Sequence, residues 1–136
     1  DQINSLKKLL KFLIDEYKIH SNNILGHSDV APYRKKDPGE KFPWSFFAKK
    51  NLCTWHNLDT NKIKVYRNIQ LSYIEEKKFI KNLNRIGYHI IQRANKKKNT
   101  KFLVKAFQRR FRQSLVNGKI DKECYLISEN IKKSYN

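Results

Sequence analysis

Few residues in this chain place it at once in a familiar structural class, and what is scarce narrows the choice first. Its two cysteines, Cys53 and Cys124, lie far apart and form no CxxC pair, which argues against a structural zinc knuckle or a cysteine-stapled scaffold. Burial tendencies make them half-buried thiols, and a bridge between them would need an oxidising compartment. No run approaches the roughly 18 consecutive apolar residues of a membrane span, so none is expected, and no signal peptide opens the chain. Acids are scarce as well: 12 Asp and Glu stand against 30 Lys and Arg, a formal charge of +18. That excess implies attraction to a polyanion, to anionic lipid or to a carboxylate-rich polymer, without choosing among them.

What is present is enough for a packed core. Of the 136 residues 39% are hydrophobic and 12% aromatic, while 31% are charged, so the chain reads as globular with a very polar surface. Ile3, Leu6, Leu9, Leu10, Leu13 and Tyr17 recur at three- and four-residue steps and predict an amphipathic helix over 3–18. Turn residues Ser21, Asn22 and Asn23 follow, and Ile24 and Leu25 then read as a short buried strand ending at Gly26. Pro32, Pro38, Gly39 and Pro43 forbid a continuous helix over 27–43 and leave a structured loop. Residues 44–50 allow one or two helical turns. Periodicity then fades over 51–68, where a domain boundary is placed.

Beyond that boundary three short helices are expected. Ser72 with Glu75 makes a capping box for the first, with Ile74, Ile80, Leu83 and Ile86 on one face and a stop at Gly87. Residues 93–101 read as a basic loop, and Thr100 as the cap of a second helix packing Phe102, Leu103, Ala106, Phe107 and Phe111. Gly118 breaks the chain again. Asp121 caps a third helix carrying Cys124, Ile127 and Ile131, with Lys132 and Lys133 near its negative end.

The informative segment runs Gly26-His27-Ser28-Asp29-Val30-Ala31-Pro32-Tyr33-Arg34-Lys35-Lys36-Asp37-Pro38-Gly39, followed by Phe42-Pro43-Trp44. Taken singly, a His and an Asp in a lysine-rich chain are surface or capping residues. In this order, with these prolines and glycines, the segment resembles the signature of the AmpD and AmiD group of zinc-dependent N-acetylmuramoyl-L-alanine amidases. The resemblance implies that His27 and Asp37 are zinc ligands and Lys35 a catalytic lysine. A neutral imidazole and a carboxylate are ordinary zinc ligands, and a catalytic zinc takes three protein ligands and keeps one position open. Lys35 would stabilise the oxyanion that develops on the muramoyl amide carbonyl. Arg34 could form a carboxylate fork, either to substrate or to the protein's own acids. Asp29 suits a structural role, accepting hydrogen bonds from loop NH groups. His20, His56 and His89 have no motif context, and Trp44 and Trp55 read as core.

The resemblance continues more weakly into Leu83 to Tyr88, Ala106-Phe107-Gln108, Phe111 and Asn117-Gly118-Lys119-Ile120-Asp121, which look like a three-helix peptidoglycan-binding domain. It implies an α+β chain overall: residues 1–60 as the C-terminal fragment of a mixed α/β amidase domain, and 61–136 as a small three-helix domain. The family's first zinc histidine and glutamate base fall upstream of these residues, so the chain is expected to be a fragment whose zinc site an upstream N-terminal piece would complete. The partner implied is peptidoglycan or a muropeptide, in the bacterial cell envelope or periplasm, with a cytoplasmic recycling role as the alternative. Two rival functions remain: a non-catalytic wall-binding remnant, and a nucleic-acid-binding protein motivated by the basic run at 93–98 and by Arg109, Arg110 and Arg112.

Overall fold

The computed structural model describes residues 1–89 and 95–135. Seven α-helices occur among them: α1 Gln2–Tyr17, α2 His27–Val30, α3 Trp44–Ala48, α4 Thr60–Ile63, α5 Tyr73–Ile86, α6 Lys96–Phe111 and α7 Lys122–Ile131. Single turns of 3-10 helix lie at Ser21–Asn23, Lys64–Tyr66 and Lys132–Ser134.

The expected α+β class is corrected here, because the described residues are helical and contain no strand. Ile24 does hold an extended backbone, φ −89° and ψ 101°. A strand, however, is made by a ladder of hydrogen bonds to a neighbour. The Ile24 amide instead donates to Ser21 O at 3.3 Å, and its carbonyl accepts from the Arg110 guanidinium at 3.2 Å. An apolar pair before a glycine carries strand propensity but cannot supply its own partner.

Local signals placed most helices correctly. Ser72 Oγ accepts from Glu75 N at 3.3 Å while Glu75 Oε2 accepts from Ser72 N at 3.1 Å, closing the capping box that starts α5. The helix stops where Gly87 takes φ 115°, a left-handed conformation that costs glycine little. Asp121 Oδ1 accepts from Cys124 N at 3.0 Å and starts α7 as expected. The basic loop is corrected. Residues 90–94, with Arg93 among them, lie outside the described residues, but α6 already runs from Lys96. Its cap is Asn95, whose Oδ1 accepts from Lys98 N, and Thr100 sits inside the helix with its hydroxyl donating to Lys96 O at 2.9 Å. Lysine is a good helix former, so a lysine run does not mark a loop. Ile74, expected on the apolar face, is 65% exposed, because Phe79, Asn82 and Leu83 set that face instead.

Two hydrophobic clusters result. In the first, α1 lays Ile3, Leu6, Leu10 and Ile14 against Trp44, Phe47, Leu52 and Cys53. In the second, α5, α6 and α7 bury Phe79, Leu83, Leu103, Phe107, Cys124, Ile127 and Ile131, each large side chain contributing about 1.5–3 kcal/mol. Trp55 packs against both. Phe107 and Phe111 are packing residues, as expected.

Both thiols are fully buried rather than half-buried, and they sit in different clusters as free cysteines. Burial pushes the Cys124 thiol up to about 12 and raises that of Cys53 as well. Since the thiolate is the reacting form, an alkylating reagent at pH 8 should label neither cysteine in the native protein and both in guanidinium chloride. Stoichiometric native labelling, read by intact mass, would contradict this packing.

Candidate metal centre

The loop that follows Ile24 is built around Gly26. A side chain there would put its Cβ 2.6 Å from Pro38 Cδ and 3.2 Å from Trp44 Cζ2, so only glycine lets the two limbs of the loop approach. Gly26→Ala should therefore cost about 1–3 kcal/mol, the usual range for an overpacked site, measured by urea unfolding. A neutral result would mean that the limbs part freely.

From Gly26 the chain makes the single turn α2, with Asp29 at its third position. Asp29 Oδ2 accepts from Gly26 N at 2.8 Å, the structural role expected of it. Its side chain is only 5% exposed and has two further partners. Tyr88 OH, at the end of α5, donates to Oδ1 at 2.5 Å, and Arg110 Nη1, in α6, lies 3.3 Å from Oδ2. Burial holds the Tyr88 phenol well above its ordinary range, with the Asp29 charge adding to the effect, so it remains a donor. Arg110 also donates to the carbonyls of Ile24 at 3.2 Å and Thr54 at 3.3 Å, and its guanidinium stacks 3.4 Å from the Trp44 ring centroid. Nearby, Arg109 pairs with Glu40 at 3.3 Å and Gln113 Nε2 donates to Phe42 O at 2.7 Å. One end of α6 thus clamps the loop from behind.

On the outer side of this clamp the predicted ligands meet. Arg34 N and Lys35 N donate to Ala31 O, turning the chain, and Ser28 N donates to Asp37 O at 2.9 Å, which returns residue 37 to the start of α2. His27 Nδ1 and Asp37 Oδ2 are then in direct contact, on side chains 74% and 57% exposed. The Asp37–Pro38 bond is cis. The hydrogen bond from His27 holds the Asp37 carboxyl below its ordinary range against the opposing effect of burial, and the charge of Lys35 adds to the lowering.

Lys35 is exposed beside this pair. Arg34 faces elsewhere: it lines a cleft of about 300 Å³ with Val30, Tyr33, Tyr88 and His89, and forms no ion pair among the described residues. Among the described residues no third His, Cys, Asp or Glu joins His27 and Asp37.

Arg110 was not singled out as the anchor of this loop, although its spacing held the signal. It follows Leu103, Ala106 and Phe107 at helical intervals, an arginine on the apolar stripe, where a charge is retained only when paired. The same geometry removes much of the motive for nucleic-acid binding. Arg109, Arg110 and Arg112 are all buried, and Arg112 is held by Asp121 at 2.5 Å and Glu123 at 3.2 Å.

Comparison with known proteins agrees with the motif. Residues 1–40 match the family model described as N-acetylmuramoyl-L-alanine amidase. The N-acetylmuramoyl-L-alanine amidase AmiD of Escherichia coli K12 is 31% identical over 98% of this chain and 48% of its own length. The 1,6-anhydro-N-acetylmuramyl-L-alanine amidase AmpD of Enterobacter cloacae is 48% identical over 46 residues, 34% of this chain and 25% of its own. Among solved structures, E. coli AmiD in complex with anhydro-N-acetylmuramic acid-L-Ala-D-gamma-Glu-L-Lys superposes with a TM-score of 0.82 over 98% of this chain and 52% of that one. AmpDH3 from Pseudomonas aeruginosa gives 0.81 at 28% identity, over 98% and 53%. The chain thus spans about half the length of AmiD. With the motif, the family match and these relatives in agreement, the chain is a homologue of the N-acetylmuramoyl-L-alanine amidases AmiD and AmpD.

Proposed function

We propose that the protein acts as a zinc-dependent N-acetylmuramoyl-L-alanine amidase, hydrolysing the amide between N-acetylmuramic acid and L-alanine in peptidoglycan or muropeptides, in the cell envelope or periplasm. The meeting of His27 Nδ1 and Asp37 Oδ2 on a loop braced by buried Asp29 and Arg110 carries this reading. An imidazole nitrogen and a carboxylate oxygen brought together at an exposed point are donors of the kind that zinc takes, so His27 and Asp37 would hold the ion. The proposal includes a third ligand contributed by another segment or chain. Zinc held there would supply Lewis acidity toward the amide carbonyl and an acidified water.

The remaining roles fall to this chain's own residues. Lys35 would donate to the carbonyl oxygen as negative charge grows on it. Arg34, on the adjoining cleft, would fork to a carboxylate of the stem peptide. The AmiD structure, which holds an anhydromuramoyl peptide, supports a muropeptide as the substrate class. The test is release of free peptide from a muropeptide by the zinc-loaded protein, followed by mass spectrometry. Release should stop on chelation, and Lys35→Ala should lower the rate about 10²- to 10³-fold, as losing an oxyanion donor does. Undiminished hydrolysis by that variant would remove Lys35 from the reaction.

A second reading, a wall-binding protein without hydrolysis, rests on the likeness of Leu83 to Tyr88 and Asn117 to Asp121 to a peptidoglycan-binding domain, whose helices pack here as one hydrophobic cluster. That reading predicts sedimentation with peptidoglycan and no peptide release at any zinc concentration.

A further inference from the structure

The excess positive charge is divided by residue type. Arg67, Arg109, Arg110 and Arg112 are committed to Glu123, Glu40, Asp29 and Asp121. The cations left facing solvent are largely lysines spread along the chain, and six of them, Lys77, Lys78, Lys81, Lys96, Lys97 and Lys98, stand on α5 and the first turn of α6. On α5, Ile74, Lys77, Lys78 and Lys81 follow the i, i+3, i+4, i+7 spacing of a single face, opposite buried Phe79, Asn82 and Leu83, and all four are exposed. A groove of about 300 Å³ joins that helix to α6, with Tyr73, Lys77 and Ile80 on one side and Lys96 and Thr100 on the other. Lys97 and Lys98 stand exposed next to Lys96. None of these lysines forms an ion pair among the described residues, and Glu76 is the one acid lining the groove. The first turn of α6 carries no acid, so three ammonium groups crowd the positive end of the helix dipole. An anionic partner would relieve that repulsion.

Two apolar side chains sit on the same surface. Tyr73 is 71% exposed and Ile74 65%, and the Lys77 ammonium lies 4.3 Å from the Tyr73 ring centroid. We infer that this α5–α6 surface docks on an anionic lipid bilayer. A bilayer uses every part of it: lysines reach the headgroups along their apolar stems, a tyrosine ring settles at the interface, and an isoleucine enters the acyl boundary. A nucleic acid would occupy the lysines and could stack on Tyr73, but it offers Ile74 nothing. The docking is peripheral, since no helix among the described residues is long and apolar enough to cross a membrane.

Co-sedimentation of the 136-residue chain with vesicles tests the inference, comparing phosphatidylglycerol-containing with pure phosphatidylcholine vesicles. The chain should bind the anionic vesicles and not the neutral ones, and binding should weaken as salt shortens the screening length. Replacing Lys77, Lys78 and Lys81 together by Gln should weaken binding roughly 100-fold, about fivefold per lysine. Tyr73→Ser with Ile74→Ser should weaken it at unchanged charge, with helix content checked by circular dichroism. Equal binding to neutral vesicles, binding to single-stranded DNA or to insoluble peptidoglycan without binding to anionic vesicles, or a lysine variant within threefold of the parent would each overturn it. The comparison of vesicles needs no variant and decides the matter even if a substitution unfolds the chain.

Discussion

Arg110→Ala should lower the unfolding free energy by about 3–5 kcal/mol in urea denaturation, the loss expected when one member of a buried ion pair is removed and the other stays buried. Arg110 is 2% exposed, and its partner Asp29 has no other cation within ion-pairing distance among the described residues. The substitution also strips donors from the carbonyls of Ile24 and Thr54 and removes the stack on Trp44. Against a total of about 5–15 kcal/mol for a domain, this is a large share. Asp29→Asn in the same background should recover part of the loss, because the stranded charge is gone. A cost below about 1 kcal/mol, the range of exposed pairs, would mean that water reaches the site.

His27→Ala and Asp37→Ala should each weaken zinc binding by at least about 100-fold, beyond the 10- to 100-fold typical of removing a group that merely orients a ligand. Competition with a chelator of known affinity measures this directly. The two side chains are exposed, so neither change should cost more than about 0.5 kcal/mol of stability in the metal-free protein. That separates loss of a ligand from loss of the loop. If affinity stayed within threefold in both variants, the pair would be an ordinary surface contact.

Legibility of this chain followed the range of the interaction that fixes each feature. Helix caps at Ser72 and Asp121, and the stop at Gly87, depend on neighbours within a few residues, and the sequence places them. The loop of the candidate ligands stood out for a different reason, an ordered motif spanning Gly26 to Gly39, and the structure brings His27 and Asp37 into contact, which leaves their role as zinc ligands a proposal. The expected strand at Ile24 and Leu25 failed because pairing is a property of two segments, and one segment cannot reveal it. Ile74 was assigned inward from the first residues of a stripe whose phase is set by Phe79 and Leu83. Arg109, Arg110 and Arg112 suggest nucleic-acid binding from the sequence, whereas the position of Arg110 on the stripe of Leu103 and Phe107 requires partners that lie up to 86 residues away.

Asp29 binds the amide that opens α2, the Tyr88 hydroxyl just beyond α5 and the guanidinium on α6 at once. Any opening of the loop strands Arg110, and any loosening of the helices strands Asp29, so the two regions share one opening equilibrium. A ligand captured by His27 and Asp37 therefore raises the stability of a helical cluster it never touches, by an amount that grows with the logarithm of its concentration once that exceeds the Kd. Damage to that cluster is felt in reverse, as weaker capture at the loop.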